Sequence, residues 1–147
     1  MAAVGAQPGE GVFVADKSAW ARSRMPGVAQ LWEQAIVAGR IATSPIVKME
    51  LLYSARDAQG FEELEALLRP LVDIPVTRSV TDAAIGAMRA LARLRPLHHR
   101  VPPPDALVAA AAQEAGLGVL HYDRHFDRLA EVLDFESRWI APPGSLD

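Results

Sequence analysis

Four acidic side chains stand where an ordinary fold has little use for a charge. Asp16 ends the apolar run "VFVAD", Asp123 ends "GVLHYD", Asp105 opens "DALVAAAA" after three prolines, and Glu50 lies inside "SPIVKMELLYSA". Helix capping accounts for each aspartate taken singly, because a side-chain oxygen at a helix start accepts a free backbone N–H and meets the positive end of the dipole. Glu50 has no such reading. It sits mid-helix, one turn from Ile46, Val47, Tyr53 and Ser54, and a lone ionised carboxylate is costly to bury without a partner or a metal. The nearest basic residues in the chain, Lys48 and Arg56, miss the three- and four-residue spacings that pair charges along a helix. If the four acids converge, carboxylates about 4 Å apart repel by about 4 kcal/mol at an effective dielectric of 20. Such a cluster either protonates or recruits a cation. Oxygen donors match Mg²⁺ or Mn²⁺, whereas zinc wants more His or Cys. Carboxylate-held divalent ions serve phosphoryl chemistry, binding the scissile phosphate and lowering the pKa of the attacking water.

The elements that must position these acids follow from apolar period and punctuation. Strands are expected at 12–15, 41–43, 71–74 and 117–121, with an edge strand at 133–135. Helices are expected from Lys17, over 28–38 up to Gly39, from Ser44–Pro45 to about Ala55, over 61–69, over 80–94, from Asp105 to Gly116, and over 124–132. In the 80–94 helix the spacing predicts a stripe of Ile85, Met88, Leu91 and Ala92. Asp105 is expected to cap its helix and ligate at once. Strands alternating with helices indicate a parallel sheet covered on both faces. Ligands in such sheets sit beyond the carboxyl ends of the strands, where Asp16 and Asp123 fall.

Composition sets the frame. The 147 residues suffice for one domain spanning 1–147, with 1–10 and 141–147 expected as a flexible extension and tail. Without cysteine there is neither a disulfide nor a thiolate metal site. No apolar run approaches a membrane span, and the first ten residues lack the pattern of a signal peptide, so a cytoplasmic protein is expected. A net charge of −3 excludes a uniformly basic, nucleic-acid-coating surface. Basic character is local instead. Arg89, Arg93, Arg95, His98, His99 and Arg100 lead into Asp105, and this segment reads as an RNA-backbone contact surface as well as a solvated helix face. Lys17 and Lys48 read as surface charges, and His121 as packing or hydrogen bonding.

The stretches "VFVADKSAW", "TSPIVKMELLYSA" and "HRVPPPDALVAAAAQEAGLGVLHYDRHFDRLA" resemble PIN-domain ribonucleases, and within them the VapC toxins of type II toxin–antitoxin pairs, over about residues 11–136. The resemblance implies a three-layer α/β/α fold around a mostly parallel sheet of four to five short strands. It places the family's acidic quartet on Asp16, Glu50, Asp105 and Asp123, and its supporting hydroxyls on Ser18 and on Thr43 or Ser44. Where many members carry a further acid this chain has His125, itself a candidate ligand; either Asp127, two residues on, substitutes as a ligand or a second metal is held more weakly. The implied protein is a homodimeric endoribonuclease dependent on Mg²⁺ or Mn²⁺, acting on RNA and held inactive by a cognate VapB-like antitoxin. Two other classes stay open on the residues alone. One is aspartyl phosphotransfer of haloacid-dehalogenase or receiver type. The first of these would want Asp where Ser18 stands, and the second a late lysine that the chain lacks. The other class is a non-catalytic PIN-like binding module, which His125 keeps in play.

Overall fold

A computed structural model describes residues 11–146; the extension expected over 1–10 lies outside the described residues. Five strands, β1 (Phe13–Ala15), β2 (Ile41–Thr43), β3 (Val72–Asp73), β4 (Gly118–His121) and β5 (Ser137–Trp139), alternate with helices in chain order. The helices are α1 (Lys17–Trp20), α2 (Ala29–Val37), α3 (Pro45–Tyr53), α4 (Ala58–Leu68), α5 (Arg78–Leu94), α6 (Pro103–Ala115) and α7 (Arg124–Leu129). The sheet order is β3-β2-β1-β4-β5, parallel throughout, which puts β1 at its centre and β4 beside it.

The period of two along each strand builds the layers. Val14, Ala42 and Val119 face one core with Val47, Val80, Leu91, Phe126, Leu129 and the buried face of α6. Their neighbours Ala15, Ile41 and Leu120 face the opposite core, with Ala19, Trp20, Trp32 and Ile36 from α1 and α2. Helix α6 is buried almost all round, with Ala106, Val108, Ala109, Ala110, Ala111 and Ala112 inside, as expected of a helix that is apolar on every face. It stops at Gly116, whose φ of 71° only glycine adopts without strain.

Several expected features move. Helix α5 turns Val80, Ala84, Ala87 and Leu91 inward and leaves Ile85 56% exposed, with Ala92 outside as well. Its neighbour α6 presents alanines, so small side chains at the crossing let the two helices approach and the bulkier Ile85 is turned away. Helix α4 starts three residues early because Asp57 caps it, accepting from Gly60 N at 2.8 Å. The expected edge strand at 133–135 lies instead at 137–139: Leu133 and Phe135 pack into the core, and pairing with β4 starts only when Val119 N reaches Glu136 O. Residues 141–146, expected as a tail, turn back on the domain, and Leu146 N donates to the Tyr122 hydroxyl at 2.9 Å.

One position joins sheet and site. A Cβ at Gly118 would stand 2.5 Å from the Phe13 ring and 2.9 Å from Glu136 O. Gly118→Ala is expected to cost roughly 2–3 kcal/mol, a typical overpacking penalty, through displacement of the β1–β4–β5 junction. Urea denaturation checks this, and an unchanged midpoint would contradict it.

Candidate active site

The ends of the two central strands carry two of the acids. Asp16 follows β1 and is buried. Its Oδ2 accepts from Ser18 N at 3.1 Å and from Ser18 Oγ at 2.7 Å, and that hydroxyl in turn accepts from Tyr122 N at 2.9 Å. One serine thus fastens Asp16 to the chain just after β4 and aims Oδ1, which has no partner and no solvent, elsewhere. Asp123 follows β4 and caps α7, accepting from His125 N at 3.0 Å. Glu50 projects from α3 with Oε1 buried and unpartnered, while Oε2 lies 3.5 Å from Lys17 Nζ. The lysine expected to be a plain surface charge is the counter-ion of the glutamate, supplied by α1. Lys48 pairs with Asp73 instead.

Asp105 does not cap. The cap position is Pro102, without a side-chain bond, and Asp105 sits in the third place of the first turn with Pro103 and Pro104 ahead of it. Its backbone N–H already donates to Pro102 O. The side chain is therefore left to the cleft, where it is nearly fully buried. Burial, and then the charges of Asp16, Asp123 and Glu50, push its pKa up to about 8, against a smaller opposing effect of Lys17. Burial also raises Asp16 despite the bonds from Ser18, and raises Glu50 despite Lys17. Three carboxylates on separate elements thus all resist ionisation, through burial first and through one another's charge second.

The donor set fits a divalent cation. Asp105, Asp123 and His125 each place one ligand-capable atom within 4.8 Å of the other two. Asp16 and Glu50 stand outside that tight group but contribute the buried, unpartnered oxygens already described. His125 Nδ1 lies 2.8 Å from Asp123 Oδ1 and 3.3 Å from Asp105 Oδ2, yet neither contact has hydrogen-bond alignment. A cation among these atoms would supply what the protein does not.

Asp127 is not part of the cluster. Its Oδ1 accepts from Ser137 Oγ at 2.7 Å and its Oδ2 from Trp139 Nε1 at 2.9 Å, so β5 occupies both oxygens. Of the two expected hydroxyls ahead of α3, Ser44 caps the helix by accepting from Val47 N, while buried Thr43 Oγ1 has no partner. Arg89 and Arg93 are exposed on α5. His98 is committed: its Nε2 lies 2.9 Å from Arg95 Nη2 and 3.1 Å from Glu131 Oε1, and Arg128 reaches the His98 and Arg100 carbonyls.

A relay behind Asp123 was not visible from spacing. His121 is buried at the end of β4. Its Nδ1 accepts from Asp123 N at 3.1 Å, its Nε2 meets Ser137 Oγ at 2.7 Å, and Ser137 bonds Asp127. The accepting Nδ1 assigns the proton to Nε2. The only signal in the chain was a histidine inside an apolar strand.

A family model described as PIN domain matches residues 15–132. Ribonuclease VapC18 of Mycobacterium tuberculosis is 39% identical over 136 residues, covering 92% of this chain and 99% of that protein. Ribonuclease VapC51 of the same organism is 36% identical over 135 residues, covering 92% and 97%. Among solved structures, a DNA-bound VapBC from Salmonella typhimurium superposes with a TM-score of 0.69 at 18% identity, over 90% of this chain and all of that one. VapBC-5 from Mycobacterium tuberculosis gives 0.63 at 20% identity, over 88% and 99%. At those identities the structures speak for the fold, while the family match and the relatives speak for descent. With its acidic cleft at the ends of β1 and β4, the chain belongs to the PIN-domain family, among the VapC ribonucleases.

Proposed function

We propose that the chain is an endoribonuclease toxin, neutralised by a VapB-like antitoxin, that hydrolyses RNA phosphodiesters with Mg²⁺ or Mn²⁺ at Asp16, Glu50, Asp105 and Asp123. The observation that carries this is the set of buried, unpartnered carboxylate oxygens around an Asp105 whose ionisation three neighbouring acids oppose. The relatives named ribonucleases, and VapBC-5, a member of the VapBC family of toxin–antitoxin systems with the same fold, support the substrate class and the partner. A bound divalent cation would neutralise charge at the scissile phosphate and make the attacking water more acidic.

The chain's own residues do the rest. Ser18 holds Asp16 in one orientation from a β4-linked anchor, so that carboxylate needs no rearrangement on binding. Lys17 holds Glu50 at the cleft and partly offsets a charge that RNA would otherwise meet. Asp105, its pKa raised to about 8, holds its proton at neutral pH and would yield that place to a bound cation. His125 stands beside Asp105 and Asp123 in place of a further acid and adds a ligand-capable nitrogen to them. Arg89, Arg93 and Arg100 would meet the RNA backbone through long-range attraction, whereas Arg95 is paired with Glu131 at 3.6 Å. Among the described residues no helix is long and apolar enough to cross a membrane, and the cysteine-free composition suits the cytoplasm, where a message or transfer RNA is met.

Asp16→Asn tests the assignment. The variant is expected to fold and to lose cleavage of single-stranded RNA on the order of 10²- to 10³-fold or more. Cleavage by this variant at the unsubstituted rate would refute the site.

A further inference from the structure

Beside the acidic cluster opens a cavity of about 350 Å³. It shares Asp123 and His125 with the cluster and is otherwise walled by Arg22, Arg124, Tyr122 and Trp139, with Pro143 and Gly144 on the side of the chain end. The walls are held in place. Trp139 Nε1 donates to Asp127 Oδ2 at 2.9 Å, and the indole meets His121 and Tyr122 at steep angles of 62° and 80°. Buried Tyr122 accepts from Leu146 N and lies under the Arg22 guanidinium, 4.4 Å from its ring centroid. Arg124 is exposed at the head of α7 and forms no ion pair with any described residue.

Packing alone does not call for this combination. The part-exposed Trp139 indole offers a surface to a flat apolar group, and a guanidinium without a counter-ion offers a fork to a phosphate. A nucleotide is the ligand class that carries both. The volume lies at the lower end of the range for small-molecule sites, room for one nucleotide and not for a duplex. An RNA strand with its scissile phosphate at the acidic cluster must also pass this cavity, because Asp123 and His125 border both. We infer that the cavity is a nucleotide subsite, in which the base adjoining the scissile phosphate packs on Trp139 while Arg124 holds a neighbouring phosphate. This rests on the ribonuclease reading. Recognition by ring surface tolerates several bases, so the site would set where the strand sits more than which base it carries.

The test uses the full chain and a synthetic single-stranded RNA whose cut position has first been mapped with the unsubstituted protein. Matched RNAs then carry one abasic nucleotide on either side of that position. For one of the two, kcat/KM is expected to fall about tenfold with the unsubstituted protein. Trp139→Ala should erase that penalty, whereas Trp139→Phe, which keeps a ring but loses the donor to Asp127, should retain it. Arg124→Ala, at an exposed position where folding is not at issue, should lower kcat/KM on all the RNAs and flatten its salt dependence. Equal discrimination by Trp139→Ala and the unsubstituted protein, or no effect of Arg124→Ala, overturns the inference. If the unsubstituted protein cuts no RNA, the ribonuclease reading fails by itself. The cavity is then judged by titrating metal-free protein with adenosine 5′-monophosphate while following the Trp139 indole N–H by NMR. A saturable change in that signal, weakened at least fivefold by Arg124→Ala, supports a nucleotide site; no change overturns it. Variants that keep nucleotide binding and abasic discrimination but release the antitoxin would make the cavity a protein-docking point, which also overturns it.

Discussion

Stripped of metal, the Asp105→Asn protein is expected to melt above the unsubstituted chain at pH 7.5 while cutting no RNA. Asp105 ionises near 3.8 when the chain is unfolded and only at about 8 in the fold. Its contribution to stability is therefore complete below about pH 4 and is lost as pH rises through about 8, because the unfolded chain gives up the proton first. Asparagine never ionises. At pH 7 the difference is on the order of 2–4 kcal/mol, since each tenfold difference in acidity between the folded and unfolded chain is worth about 1.4 kcal/mol, or roughly 5–10 °C in Tm for a chain of this size. Asp16 and Glu50, also raised, act with the same sign. A divalent cation should reverse the order. It stabilises the unsubstituted fold by mass action and displaces the Asp105 proton, which calorimetry in two buffers would read as roughly one proton released per cation at pH 7. The asparagine variant should show neither effect. A variant that melts at or below the unsubstituted chain in EDTA would mean that neither burial nor the neighbouring acids oppose ionisation of Asp105, and the case for a cation site would fall with that.

On the acid side His121 works in the opposite direction. Burial lowers its pKa from 6.5 to about 4 against weaker opposing effects of Asp127 and Asp123. The folded histidine is neutral where the unfolded one is charged, so its contribution is present above about pH 6.5 and lost as pH falls toward 4, by up to about 3 kcal/mol. Between pH 4 and 6.5 the Asp105 and His121 slopes oppose each other; above 6.5 only that of Asp105 remains. Difference curves separate them. Unsubstituted minus Asp105→Asn should fall steadily from pH 4 to 8. Unsubstituted minus His121→Asn should rise from pH 4 to 6.5 and then level. Asparagine can keep an acceptor toward Asp123 N but loses the link to Ser137 and the stacking on Phe126. This variant should also cut RNA roughly 10- to 100-fold more slowly, the usual cost of removing a group that orients a ligand. A flat difference curve between pH 4 and 6.5 would show that His121 is not held neutral.

The four acids could be picked out as candidates from residues alone, although helix capping accounts for each aspartate taken singly and only Glu50 breaks a local rule. Apolar runs of period two end at Asp16 and Asp123, and parallel topology sends such ends to one edge. Glu50 interrupts a helix that offers it no partner at helical spacing. Strand and helix alternation was equally legible, since period and punctuation are properties of a few neighbouring residues.

What stayed hidden depends on contacts distant in the chain. Ser18 and Tyr122 are 104 positions apart, yet their bond decides where Asp16 points. Lys17 becomes the partner of Glu50 only because α1 and α3 meet in space. Asp127 looked available as a ligand until β5 brought Ser137 and Trp139 to it. Asp105 looked like a cap until the prolines moved the helix start ahead of it. Local pattern determines which residues become strands, helices and misplaced charges, because backbone propensity and side-chain period act over one or two turns. Which charges meet, and which are diverted to neutral partners, was decided by tertiary packing, where distance in space replaces distance along the chain and burial makes each unpaired oxygen costly.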